Sequence, residues 1–102
     1  MARRLDLHQE LIDLLGSTNV YFQPPESVKL EYPCIVYELS GLDIKRANDQ
    51  IYLHKRKYSI TYVHWDPDSE FYLDILKHFE LASFDRRFKA DNLIHDVLTI
   101  YY

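Results

Sequence analysis

The chain of 102 residues has one cysteine, two glycines, one tryptophan and one methionine. A single cysteine, Cys34, allows no internal disulfide and no Cys-pair zinc site, which fits a reducing compartment. Gly16 and Gly41 alone cannot build a glycine-rich phosphate cradle, so P-loop and dinucleotide chemistry are excluded. The opening MARRLDLHQELI has two arginines but no apolar run of the kind a secretory leader needs. No window approaches the ~18 apolar residues of a membrane helix, so no membrane association is expected. The net charge of −4 is too small and of the wrong sign for a domain that binds nucleic acid over its whole surface.

What is abundant is aromatic: nine of the residues are tyrosine. Tyrosine has an apolar body and a polar tip, which suits half-buried sheet faces and protein interfaces. At this length one domain is expected, spanning 1–102, with an adequate but not generous core.

Helical spacing of Leu5, Leu7, Leu11, Ile12, Leu14 and Leu15, followed by Gly16 as C-cap, predicts a helix over 4–15. Val20-Tyr21-Phe22 is a brief strand signal, broken by Pro24-Pro25. A strand opens at Pro33, with Cys34 and Val36 on one face and Ile35, Tyr37 and Leu39 on the other. Both faces are apolar, so cover on both sides is expected, with Gly41 as the end. Residues 42–50, LDIKRANDQ, read as a long connection or an extended hairpin arm. A long strand follows over 51–63, with Tyr58, Ile60 and Tyr62 sharing a face with Tyr52, His54 and Arg56. Asp66-Pro67 predicts a capped helix from 67 to about 80. The last segment reads as a hairpin, 83–91 and 93–102, turning at Asp91-Asn92. The order α-β-β-β-α-β-β with hairpin connections predicts an α+β domain: a mainly antiparallel sheet flanked by two helices, with a long hairpin arm.

Few residues carry a chemical signal. Cys34 lies between Pro33 and Ile35 in a strand, where a buried thiol is the expected reading. The five histidines form no metal-ligand pair. Asp66, Asp68 and Glu70 read first as a helix-cap cluster. Pro67-Asp68 lacks the later acidic-x-Lys strand of the nuclease pattern it faintly matches. The conspicuous surface feature is basic: Lys45, Arg46, Lys55, Arg56 and Lys57. It reads equally as a charge-guarded edge or as an electrostatic contact.

Tyr32-Pro33-Cys34-Ile35-Val36-Tyr37, Asp66-Pro67-Asp68-Ser69 and Asp91-Asn92-Leu93 with His95-Asp96 give the chain its most specific pattern. From about Val20 to Tyr102 it resembles the small tail-completion proteins of tailed bacteriophages, the tail terminators or minor capsid proteins of phages with Gram-positive hosts. The resemblance implies a non-enzymatic virion part with no cofactor. It implies an α+β subunit in a ring, usually of six copies, that caps the head-proximal end of the tail tube and joins it to the head connector. DNA would pass through the lumen without specific binding. The protein would be in the virion neck, and in the host cytoplasm during assembly. No catalytic signature carries over. Candidate contacts to neighbouring subunits or the tube are Ile44, Lys45, Arg46, Asn48 and Asp49 on the arm, with Tyr52, Arg56, Arg86, Arg87 and Tyr102. Tyr58 and Tyr101 are further aromatic anchors. Two alternatives stand beside this: a head-completion protein one ring higher, or a small nucleic-acid module using Lys55, Arg56 and Lys57 with Tyr52 and Tyr58 as stacking residues.

Overall fold

The computed structural model describes residues 4–47 and 50–102, with side chains outside 43–54. The order is α1 (Arg4–Leu15), β1 (Val20–Phe22), β2 (Cys34–Ala47), β3 (Gln50–His64), α2 (Phe71–His78), β4 (Ala82–Ala90) and β5 (Leu93–Tyr101). The strands form one five-stranded sheet in the order β1-β2-β3-β5-β4. β1 runs parallel to β2, and the other neighbours are antiparallel. The expected α+β class and element order are therefore what the chain adopts.

Strand alternation sorts the side chains. Ile35 and Tyr37 of β2, Tyr58, Ile60 and Tyr62 of β3, and Leu98 and Ile100 of β5 point to one face. Leu7 and Leu11 of α1 and Ile75 of α2, with Phe79 just beyond it, join them in a single core. Each such burial contributes about 1.5–3 kcal/mol. Leu5, expected on that side of α1, is exposed, because two residues of helix turn it well away from Leu7. Gly16 closes α1 at φ 74, donating its N–H to the Ile12 carbonyl at 2.9 Å, a left-handed cap that disfavours a side chain.

Both helices lie on this one face, and the other face of β2 is closed as well at its start, where Cys34 is fully buried, as expected. The opposite face carries Cys34 and Val63, both buried, and beyond them Val36, Ser59, Thr61, Val97 and Thr99, half-buried. Threonine and serine among β-branched neighbours tolerate water there without a second layer.

Two boundaries differ from expectation. Gly41 does not end β2. The ladder passes from Leu39↔Tyr58 to Gly41↔Lys57, so Ser40 is the extra residue of a bulge, and the strand continues to Ala47. A glycine in a strand often marks a bulge of this kind. Helix α2 starts at Phe71 rather than 67. Asp66 instead opens a turn: its side chain accepts from the Asp68 N–H at 3.0 Å and its carbonyl accepts from Ser69 at 3.1 Å. Asp followed by Pro is the signature of a turn as much as of a helix cap. The hairpin turn is as expected, with Asp91 and Asn92 at φ 53 and 64. Among the described residues, no helix is long and apolar enough to cross a membrane.

Candidate interaction surfaces

The residues that could carry chemistry are mostly committed to the fold. Cys34 is fully buried, and burial pushes its thiol up to about 11, so at neutral pH it is neither thiolate nor accessible. His64 and Asp96 are buried at one end of the sheet. The Asp66 N–H donates to His64 Nδ1 at 3.2 Å, so that nitrogen carries no proton, and Nε2–H donates to Asp96 at 2.9 Å. Arg87 holds the other side of Asp96, with Nε at 2.5 Å and Nη2 at 3.0 Å. The hydrogen bond and charge of Asp96 raise the Arg87 pKa against the opposing effect of burial. Arg87 also donates to the Pro67 and Ser69 carbonyls at 3.0 and 2.9 Å. This network ties the loop after β3 to β4 and β5. Arg87, a candidate contact residue in the sequence, thus spends its donors within the chain.

A second cluster was not legible in the sequence. Glu10 of α1 meets His78 Nε2 of α2 at 2.8 Å, and its other oxygen accepts from the Tyr102 hydroxyl. Burial and Glu10 push Tyr102 up to about 12. The three residues are far apart in the chain and no local pattern links them. They line, with Lys55, Phe79, Glu80 and Tyr101, an open cleft of about 310 Å³. Both Glu10 oxygens already have partners, so the cluster clamps α1, α2 and the end of β5 together. Among the described residues, no group of three or more His, Cys, Asp or Glu could hold a metal ion.

The arm is the element that, among the described residues, pairs with no strand outside itself. β5 pairs with β3 from His64 only as far as Lys57. Arg56 and Tyr102 then close the ladder with reciprocal backbone bonds of 3.2 and 2.9 Å. Beyond them, among the described residues, 43–47 and 50–55 pair only with each other. Six residues of strand extend this ribbon by about 20 Å. It helps make the molecule elongated, 51 × 28 × 23 Å. A two-stranded ribbon is marginal in water by itself and gains from a surface to lie on.

The candidate contact residues fall into separate regions. Ile44, Lys45, Arg46 and Tyr52 lie on the arm strands, and Arg56 at their base. Asn48 and Asp49 lie outside the described residues. Arg86 is exposed on β4, at the sheet edge remote from β2, its guanidinium 5.1 Å from the Phe88 ring centroid. Tyr102 is half-buried and held by Glu10, and Tyr101 beside it is half-buried too. Tyr58 is corrected: at 2% exposure it belongs to the core and can neither anchor a partner nor stack on a base.

Sequence reading passed over Trp65. It stands 60% exposed just past the end of β3, beside the exposed carboxylates of Asp66, Asp68 and Glu70. The signal was present, since this is the only tryptophan and it follows a strand, but the acidic residues were absorbed into a helix cap. No protein-family model matches the sequence, and no curated protein does.

Proposed function

We propose that this chain is a structural, non-enzymatic protein that assembles into a ring at the head-proximal end of a phage tail, between the tail tube and the head connector. The observation that carries the reading is the arm, a paired ribbon of about 20 Å that leaves the sheet and has no further strand partner among the described residues. A neighbouring subunit or the tube would supply one. The resemblance in sequence points the same way, and the single α+β subunit suits a ring closed by repeated heterologous contacts. Six copies, a lumen that passes DNA without holding it, and a place in the virion neck follow from that resemblance. A small net negative charge agrees with a lumen that does not grip phosphates. The rival nucleic-acid module loses Tyr58, one of its two stacking residues, to the core.

The test is direct. The protein is added to tubes assembled from a phage tail-tube protein and imaged by negative stain. The reading expects extra density at one end of each tube and an end to tube growth. Tubes that elongate unchanged, with no bound density, would contradict it.

A further inference from the structure

Two segments of opposite charge lie far apart in this molecule, although Arg87 and Lys89 of β4 stand at the acidic end and Glu10 and Glu80 share a cleft with Lys55 at the other. Between residues 41 and 57, the arm and its base, Lys45, Arg46, Lys55, Arg56 and Lys57 stand against only Asp43 and Asp49. The loop from Trp65 to Glu70 carries Asp66, Asp68 and Glu70 and no basic residue. None of these three carboxylates makes an ion pair with a described residue.

These two regions lie at opposite ends of one ladder. Ala47↔Gln50 is the last pair at the arm end, and Cys34↔Val63 is the last pair at the other. β3 joins them with 15 residues. At about 3.4 Å per residue that is on the order of 50 Å. The molecule's longest dimension is 51 Å. The basic arm therefore cannot reach the acidic end of its own chain. It can reach that of another.

We infer that copies of this chain associate head to tail, the basic arm of one seating on the acidic end of the next, around Trp65. The inference rests on the ring reading above and names the surface that receives the arm. Trp65 supplies the desolvated aromatic anchor that interface centres favour, and the carboxylates form the charged rim. Complementary charge sets partner choice and register, and it speeds encounter. The receiving loop is tied to β4, because Arg87 donates to the Pro67 and Ser69 carbonyls. Opposite-end contacts cannot be used up between two parallel copies, so they propagate until the rotation closes a ring.

A charge swap tests this. One variant carries Lys55→Glu and Arg56→Glu at the arm base, a second Asp68→Lys and Glu70→Lys at the acidic end. These side chains make no bond within the described structure, and circular dichroism checks that both variants fold. Sedimentation is run on wild type, each variant and their equimolar mixture. Wild type is expected to form particles larger than dimers, weakened about tenfold or more by raising salt. Each variant alone should lose association about tenfold or more. The mixture should regain it, since each arm then meets an end of opposite charge. Trp65→Ala should weaken association without salt dependence of its own. Variants that assemble like wild type would overturn the inference while leaving ring formation standing. A mixture that stays monomeric would overturn it, as would a wild type that stops at two copies. A wild type that is monomeric at every concentration would also overturn it, and the tube-end experiment then judges the ring reading separately.

Discussion

Replacing Asp96 by alanine should be among the most damaging single changes on the sheet. Its carboxylate is fully buried and accepts from His64 on one oxygen and from Arg87 on both. Removing one partner of a buried pair costs about 3–5 kcal/mol, because the other is left uncompensated. Two features place this case at the lower end. Arg87 is 31% exposed, and it keeps the Pro67 and Ser69 carbonyls. His64 has no such outlet: it is 3% exposed, and Nδ1 is occupied by the Asp66 N–H, so its Nε2–H is orphaned. The expected loss is about 3 kcal/mol, a large share of the ~5–15 kcal/mol that holds a typical domain. Asp96→Asn should cost about 1–3 kcal/mol, since its amide turns a donor towards either His64 or Arg87, both of which donate. The assay is urea unfolding followed by circular dichroism at fixed protein concentration. A double-mutant cycle with Arg87→Ala should return a coupling of about 1–3 kcal/mol. A loss below about 1 kcal/mol for Asp96→Ala, with no coupling to Arg87, would refute the reasoning.

Three further outcomes are expected. Cys34 should be inert to thiol reagents in the native protein and react on unfolding, and Cys34→Ala should cost about 1 kcal/mol without affecting assembly. Burial, and then the charge of Arg4, hold His8 below its usual 6.5, so the native state disfavours protonation. Stability should therefore fall as pH drops below 6.5 and level off once the folded value is passed; His8→Asn should flatten that segment of the curve. Gly16→Ala should lower stability by about 1 kcal/mol through backbone strain at φ 74 alone, since an added Cβ meets nothing within 4 Å, and thermal melting would read it.

The legible parts of this fold were those where one local rule acts alone. Gly16 capping α1, Asp91-Asn92 turning β4 into β5, and the alternation that put Tyr58, Ile60 and Tyr62 on one face could all be read along the chain. Errors arose where one residue pair serves two rules. Asp66-Pro67 opens a turn and not a helix, and Gly41 marks a bulge and not a strand end. The Tyr58 misreading had another source: its face was assigned rightly, but the face was the core, which periodicity alone does not reveal for a strand with basic neighbours. The Glu10–His78–Tyr102 clamp and the Asp96–Arg87 grip on the loop were beyond sequence reasoning, because each joins residues that only the tertiary fold makes neighbours. Trp65 and its carboxylates were visible as letters. Their place at the far end of β3 from a basic arm was not.

The account turns on the arm as the element that joins one copy to the next. The most direct measurement compares particle mass by light scattering for the full chain and for a chain lacking residues 43–50, each across a wide concentration range. The account predicts a discrete multiple of the chain mass for the first and a folded monomer for the second. Equal masses for the two would contradict it.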